Sequence, residues 1–162
     1  MTDQMGFFEI RYTTGNLLDA RADALVNAVN TVGVMGKGIA LTFRRAFDEN
    51  FLAYAAACKR GDVRIGHMFV TERGALSGPR WIINFPTKRD WRTKSQLSWV
   101  AEGLGDLRRV IVEKGIQSIA LPALGCGNGG LDWVDVRLKI EDVLGEFTNV
   151  DIQVYEPAGR VF

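Results

Sequence analysis

The fold of this chain is decided by residues 27–38, which read NAVNTVGVMGKG. An apolar strand pattern at 24–30 runs into this segment, and a helical pattern runs out of it from Gly38. Glycine lets the backbone approach a ligand closely, and successive amides before a helix N-terminus form an anion site. The segment therefore predicts a strand-loop-helix unit whose loop binds an anion. The alternative is a tight turn that binds nothing.

Strands and helices alternate on both sides of this unit. Apolar segments predict six strands, at 7–13, 24–30, 67–72, 80–86, 118–124 and 151–155. Apolar residues at three-to-four spacing predict three helices, over 38–59, from Ser95 to Gly115 with a capping box at Thr93 and Gln96, and after an Asp132 cap. Segment 118–124 has almost no polar residue, which is typical of a central strand covered on both faces. This order predicts a three-layer α/β/α domain with a mixed sheet of about six strands.

Length and composition exclude several classes of protein. The chain has 162 residues, which fits one domain. A net charge of +1 gives no global attraction for nucleic acid or membrane, so a nucleic-acid contact must come from a local patch. The first residues do not have the pattern of a signal peptide, and no apolar run reaches the ~20 residues that a membrane helix needs. We expect a cytoplasmic monomer in which Cys58 and Cys126 are reduced. His67 has no companions at metal-ligand spacing, so we expect neither a metal nor a cofactor.

A second glycine-rich segment, LGCGNGGLDW, occupies residues 124–133. Ligands of open α/β sheets bind outside the carboxyl ends of the strands, so two such loops on adjacent strands can hold both ends of a diphosphate. Neither loop is a familiar nucleotide motif. Gly36 and Lys37 are followed by Gly38 instead of the Ser or Thr of a P-loop, and GCGNGG lies too late in the chain for a dinucleotide fingerprint.

Polar residues stand where the strands end. Asn27 and Asn30 interrupt an apolar strand, where their amides either bind ribose hydroxyls or satisfy the backbone. Lys37 is either a ligand contact or a solvated lysine at a helix start. Residues 87–94, TKRDWRTK, interleave four cations with Trp91. Cations contact phosphates and an indole stacks on bases, so this segment suits a nucleic-acid strand, with a solvated basic loop as the alternative.

Three longer segments closely resemble the macrodomain family, and in particular its DarG-type antitoxin branch. They are GNLLDARADALVNAVNTVGVMGKGIALTFRRAF (15–47), NFPTKRDWR (84–92) and ALGCGNGGLDW (123–133). The resemblance runs from about Gly15 to Pro157 and implies a domain that binds ADP-ribose. DarG-type members are DNA ADP-ribosyl glycohydrolases, which remove ADP-ribose from thymidine in single-stranded DNA and so reverse a DarT-type toxin. They usually carry a further C-terminal, toxin-binding region. We therefore expect residues 1–162 to be one macrodomain, either free-standing or excised from a longer antitoxin.

The resemblance also implies site residues. The lysine of NFPTK, Lys88, is expected to be catalytic, together with Asn30 beside the distal ribose. The expected DNA contacts are Arg89, Trp91, Arg92 and Lys94. The expected ADP-ribose contacts are Asn16, Leu17, Asn27, Asn30, Gly36, Lys37, Gly38, Thr87, Gly125, Cys126, Gly127, Asn128, Gly129, Gly130, Leu131 and Tyr155. Asn16 stands where macrodomains commonly have an adenine-binding Asp, and Tyr155 is the candidate for stacking near the adenosine.

Two roles for Lys88 remain open. A neutral Lys88 would attack the anomeric carbon of the distal ribose or trap its open form as a Schiff base, which requires a pKa lowered by burial or by nearby Arg89. A protonated Lys88 would stabilise charge on the departing thymine. Gly129 stands where members that cleave ADP-ribosyl-glutamate esters carry an Asp, so that activity is disfavoured. The functional alternatives are a reader that binds ADP-ribose without turnover and a hydrolase of ADP-ribosylated protein.

Overall fold

The computed structural model describes residues 9–157. The strands are β1 (Arg11–Thr13), β2 (Ala24–Val29), β3 (Phe69–Glu72), β4 (Trp81–Pro86), β5 (Ser118–Pro122) and β6 (Asp151–Tyr155). The helices are α1 (Gly38–Ala46), α2 (Asp48–Lys59), α3 (Leu97–Lys114) and α4 (Trp133–Leu144), and a 3-10 turn spans Leu17–Asp19. The strands form one six-stranded sheet in the order β1-β6-β5-β2-β4-β3. The pair β3 and β4 is antiparallel and the other pairs are parallel, so the predicted mixed sheet is confirmed.

Two layers of helices cover the sheet because alternate residues of each central strand point to opposite faces. On β2, Val26 belongs to the core cluster formed with α3 and α4. Its neighbour Leu25 packs with Phe43 of α1, and Val29 packs with Tyr54 of α2. The three-layer α/β/α architecture is therefore confirmed.

Several predicted boundaries were wrong. The helix expected over 38–59 is two helices, because Phe47 leaves the helical region with φ −132° and ψ 74°. Helix α3 begins at Leu97, and the expected capping box is absent: the Thr93 hydroxyl donates to the Asp90 carbonyl at 3.0 Å instead. Strand β1 starts at Arg11, and residues 7–8 of the predicted strand lie outside the described residues.

Two predicted helix ends are confirmed. Asp132 caps α4, where its carboxylate accepts a hydrogen bond from the Val134 amide at 3.1 Å. Gly115 ends α3 in the left-handed conformation, with φ 63°.

The parallel strands bring four loops to one edge of the sheet. The loops after β2, β4 and β5 and the segment after β6 all leave from carboxyl ends, where ligands bind in open α/β sheets. This edge contains both glycine-rich segments and the basic segment 87–94.

Candidate functional site

A cleft of about 670 Å³ opens at this edge of the sheet. The residues expected at the site that line it are Asn30, Gly36, Lys37, Gly38, Thr87, Lys88, Trp91, Gly125, Gly127, Asn128, Gly129 and Tyr155. The expected residues that do not line it are Asn16, Leu17, Asn27, Arg89, Arg92, Lys94, Cys126, Gly130 and Leu131. The lining residues that sequence reasoning missed are Ala28, Val29, Val34, Ile39, Ala40, Pro122, Ala123, Glu156 and Pro157. Most of these are apolar, and only their position next to the glycine loops or at the end of the last strand pointed to them.

Asn30 organises the first loop, which is formed by residues 30–37 between β2 and α1. Its side chain is 5% exposed and its Oδ1 accepts from the Val32 amide at 3.1 Å and from the Tyr54 hydroxyl at 2.8 Å. Its Nδ2 donates to the Val34 carbonyl at 2.9 Å. An amide nitrogen carries two hydrogens, so one is left for a ligand in the cleft. Asn30 thus holds the loop and retains one donor.

Asn27 lies in a different environment. It is fully buried, and its Nδ2 lies 3.5 Å from Asn84 Oδ1 and 3.7 Å from the sulfur of Met35. Met35 belongs to the first loop and is itself buried, so Asn27 supports that loop from beneath. The ribose contact expected of Asn27 stays a prediction, and it would require this side chain to leave its buried neighbours.

The second loop, formed by residues 123–132 between β5 and α4, is folded back on itself through its glycines. The Leu131 amide donates to the Gly125 carbonyl at 2.9 Å, and the Ser95 amide donates to the Gly129 carbonyl at 3.0 Å. A Cβ at Gly125 would lie 2.7 Å from Leu131, and one at Gly129 would overlap the Ser95 hydroxyl. Gly127 differs, because a Cβ there would meet nothing within 4 Å.

The amides at the tip of the second loop are available to a ligand. Within residues 9–157, the amides of Gly127, Asn128 and Gly129 donate to no other group of the protein. All three residues line the cleft. Successive unpaired amides form an anion-binding site, so this loop can bind a diphosphate.

Lys88 lies in the cleft on the loop after β4. Its Nζ donates to the Trp91 carbonyl at 3.3 Å. Burial lowers the pKa of Lys88 below its usual value, the charge of Lys37 lowers it further, and Asp90 opposes them. Burial was expected, but the neighbouring cation is Lys37 instead of the predicted Arg89. The Arg89 guanidinium is stacked on Trp99, 5.4 Å from the ring centroid.

The rest of the basic segment extends from the cleft mouth to the second loop. Trp91 is 54% exposed and carries the Arg92 guanidinium 5.2 Å from its ring centroid. Arg92 also pairs with Asp90, with 3.1 Å between Nε and Oδ1. A Cβ at Gly130 would lie 3.1 Å from Cδ of Lys94, so Lys94 runs beside the second loop. An exposed indole next to cations suits a single nucleic-acid strand.

The last residue of β6 and the segment that follows it close the opposite end of the cleft. Tyr155 and Glu156 line it, and a Glu156 carboxylate oxygen accepts from the Trp133 indole at 3.3 Å. Asn16 is exposed, and its Oδ1 accepts from the Leu18 amide at 3.1 Å as the cap of the 3-10 turn. The adenine contact expected of Asn16 stays a prediction.

Residues 9–157 contain neither a metal-binding cluster nor a membrane-spanning helix. No three His, Cys, Asp or Glu side chains there are grouped as a metal site requires. No helix in this part of the chain has the length and apolar character needed to cross a membrane.

Comparison with known proteins gives the family. The macro domain profile matches residues 26–139. A DNA ADP-ribosyl glycohydrolase of Thermus aquaticus is 55% identical over 148 residues, which are 91% of this chain and 41% of the relative. The macrodomain of Mycobacterium tuberculosis DarG has a TM-score of 0.91 at 54% identity and covers 93% of this chain and 99% of its own. Thermosipho africanus DarTG in complex with ADP-ribose has a TM-score of 0.89 at 30% identity, with 95% of this chain and 43% of that one covered.

The chain belongs to the macro domain family. The similarity to DarG macrodomains confirms the resemblance drawn from the three sequence segments. The chain spans less than half the length of the DNA ADP-ribosyl glycohydrolases that it matches at 55% identity.

Proposed function

We propose that this chain is a DNA ADP-ribosyl glycohydrolase that removes ADP-ribose from thymidine in single-stranded DNA and so reverses a DarT-type toxin. The observation that carries the proposal is Lys88, a partly buried lysine with a lowered pKa in a cleft that also presents unpaired backbone amides. The names of the relatives at 55% identity support the same activity.

ADP-ribose would lie along the cleft. Its diphosphate would bind the amides of residues 127–129, and its adenosine would lie beside Tyr155. The remaining Nδ2 hydrogen of Asn30 would donate to the distal ribose. This orientation would bring the anomeric carbon of that ribose toward Lys88.

We assign Lys88 the role of nucleophile. Burial and the charge of Lys37 both disfavour its ammonium form, whereas a purely electrostatic role would need that form. Nζ attacks the anomeric carbon, the bond from that carbon to the thymine nitrogen breaks, and its electron pair leaves with the base. The base gains the proton that Nζ loses. Water then hydrolyses the ribosyl-lysine adduct, which releases ADP-ribose and restores the amine.

The basic segment would hold the DNA strand. Trp91 is exposed at the cleft mouth, where it offers a stacking surface for a base next to the modified thymidine. Arg89, Arg92 and Lys94 would contact phosphates.

Cleavage of ADP-ribosyl-glutamate esters is the weaker alternative. Among the described residues, the one carboxylate that lines the cleft is Glu156, at the Tyr155 end. Gly129 occupies the loop position from which an Asp would assist the lysine. The geometry therefore favours the DNA substrate over the ester.

The test is turnover by Lys88→Ala on thymidine-ADP-ribosylated single-stranded DNA. We expect release of ADP-ribose to be abolished while ADP-ribose affinity changes by no more than a few-fold, because Lys88 acts on the scissile bond and most binding comes from the loops. Lys88→Arg should also fail, since a guanidinium stays protonated. Borohydride added during turnover should trap an adduct on Lys88 if the open ribose forms a Schiff base.

Other outcomes would change the assignment. Near-normal release by a folded Ala variant would remove Lys88 from the mechanism. Substantial activity of the Arg variant would favour the electrostatic role. A wild-type chain that binds ADP-ribose and releases none from DNA or protein would be a reader.

A further inference from the structure

Two lysines line the same cleft on loops that are joined to each other. Lys37 follows β2 and Lys88 follows β4, and these strands pair in parallel. The Thr31 hydroxyl donates to the Arg89 carbonyl at 2.8 Å, and the Thr31 amide donates to the same carbonyl at 3.2 Å. The relative position of the two loops is therefore fixed by the fold.

The charge of Lys37 is not neutralised by the protein around it. In the part of the chain that the structure describes, its side chain forms no ion pair and no hydrogen bond. Asp90 is the anion next to Lys88, but its carboxylate accepts from the Arg92 amide at 2.9 Å and from Arg92 Nε at 3.1 Å. The charged groups that act on Lys88 are therefore Lys37, which has no ion-pair partner among the described residues, and Asp90, which is already paired with Arg92.

The remaining titratable groups of the cleft lie at its other end. Among the described residues these are Tyr155, the last residue of β6, and Glu156, which follows it. In the sheet order β5 lies between β6 and β2, so both residues lie away from the loops that contain Lys37 and Lys88. Neither contributes to the lowered pKa of Lys88, whose causes are burial first and Lys37 second, with Asp90 opposing.

We propose that Lys37 is a positioning residue of the reaction, whose charge on the adjacent loop holds Lys88 in the free-amine form that nucleophilic attack requires. The inference rests on the proposed function and gives Lys37 a role toward Lys88 beyond the ADP-ribose contact expected from sequence. A like charge disfavours the protonated form of a neighbouring lysine. Since Lys37 is exposed, salt screens its effect.

The first measurement is the protonation of Lys88 without any substrate. The rate at which a trace acylating reagent labels Lys88, read by mass spectrometry against pH, gives the pKa of this amine. We expect Lys37→Gln to move the midpoint to higher pH, by half a unit or more, and Lys37→Arg to leave it in place. Lys59→Gln, on the exposed last turn of α2, removes the same charge outside the cleft and should leave the midpoint of Lys88 labelling unchanged.

The second measurement is the pH profile of kcat/KM on ADP-ribosylated DNA, which reports the free enzyme. The acid limb should move to higher pH in Lys37→Gln, with about threefold or more lost at neutral pH for a half-unit shift and the rate regained at high pH. Added salt should also move the midpoint of the wild-type pH profile to higher pH, because it screens the charge of Lys37. The midpoint of Lys37→Gln should move less, because that charge is already absent.

The outcomes separate the two claims. An unchanged midpoint of Lys88 labelling in Lys37→Gln overturns the inference. If the same variant also loses ADP-ribose affinity, Lys37 is a ligand contact only. A raised midpoint in a chain whose wild type releases no ADP-ribose would uphold the electrostatic coupling and overturn the proposed function. A raised midpoint with the shifted, recoverable rate profile supports both.

Discussion

Gly127 is the residue at which the second loop can be altered without disturbing its own folding. A side chain at Gly129 would overlap Ser95, whereas a Cβ at Gly127 meets nothing within 4 Å. We expect Gly127→Glu to fold and to lose more than tenfold in ADP-ribose affinity, because a carboxylate would lie at the proposed position of the diphosphate. A tenfold loss corresponds to about 1.4 kcal/mol. Titration calorimetry measures the change.

A matched variant controls for added charge. A Cβ at Gly74, between β3 and β4, also meets nothing within 4 Å, so Gly74→Glu adds the same group away from the cleft. Its ADP-ribose affinity should equal that of the wild type. Unchanged affinity in Gly127→Glu would mean that the diphosphate binds elsewhere.

At the residue scale, sequence reasoning did not predict the environment of individual side chains. Asn27 and Asn30 interrupt the same apolar strand and were both expected to contact ADP-ribose, yet Asn27 is buried beneath the first loop and Asn30 lines the cleft. The neighbour of Lys88 is Lys37 and not Arg89, because the two loops lie side by side and Arg89 turns away to stack on Trp99. Both facts depend on contacts between segments, which spacing along one segment does not contain.

At the scale of elements, two glycines of α3 show how closely this helix packs on the sheet. A Cβ at Gly103 would overlap the Phe85 ring of β4, while a Cβ at Gly105 meets nothing within 4 Å. Both substitutions to Ala gain similar helix propensity. We therefore expect Gly103→Ala to be less stable than Gly105→Ala by about 1–3 kcal/mol, the usual cost of overpacking. Denaturant unfolding gives the difference, and equal stabilities would mean that α3 shifts freely over β4.

The break between α1 and α2 at Phe47, which sequence reasoning missed, also involves contacts with a distant part of the chain. Apolar spacing continues through Phe47, so nothing local predicts a break there. In the structure, the Phe47 ring lies 5.7 Å from the Phe43 ring and carries the Arg73 guanidinium at 4.9 Å. Phe47 is thus packed against Arg73 of the connection between β3 and β4, which is distant in the sequence. Elements whose ends are set locally, such as α3 at Gly115 and α4 at Asp132, were predicted correctly.

At the scale of the whole molecule, the layer order and the mixed sheet followed from the alternation of elements. The strand order did not, because it depends on which apolar strands pair and not on their own patterns. The cleft follows from that order, since the loops after β2, β4 and β5 meet at one edge. Its apolar lining, such as Ile39 and Pro122, could not be separated from core by sequence.

Because the net charge is only +1, the proposed DNA binding would depend on the local basic segment 87–94. We expect Arg89→Ala with Lys94→Ala to weaken binding of modified single-stranded DNA most at low salt, and to reduce the salt slope by about 1.4 if each residue contacts one phosphate. Arg92 is left intact because it pairs with Asp90 beside Lys88. Fluorescence anisotropy across a salt series measures the slope.

A second pair of substitutions serves as the control. Lys59→Ala with Arg64→Ala removes the same charge from exposed positions that do not line the cleft, and it should leave the slope unchanged. Free ADP-ribose should bind the first double variant nearly as well as the wild type. Equal weakening of both ligands would assign the segment to the ADP-ribose pocket.

The basic segment is fastened at both ends. The Arg89 carbonyl accepts from Thr31 of the first loop, and the Ser95 amide donates to Gly129 of the second. These hydrogen bonds connect the first loop to the second through the basic segment in the absence of a ligand. Part of the ordering entropy that association would otherwise cost is met during folding. The site is preorganised, and a ligand enters a shape that already exists.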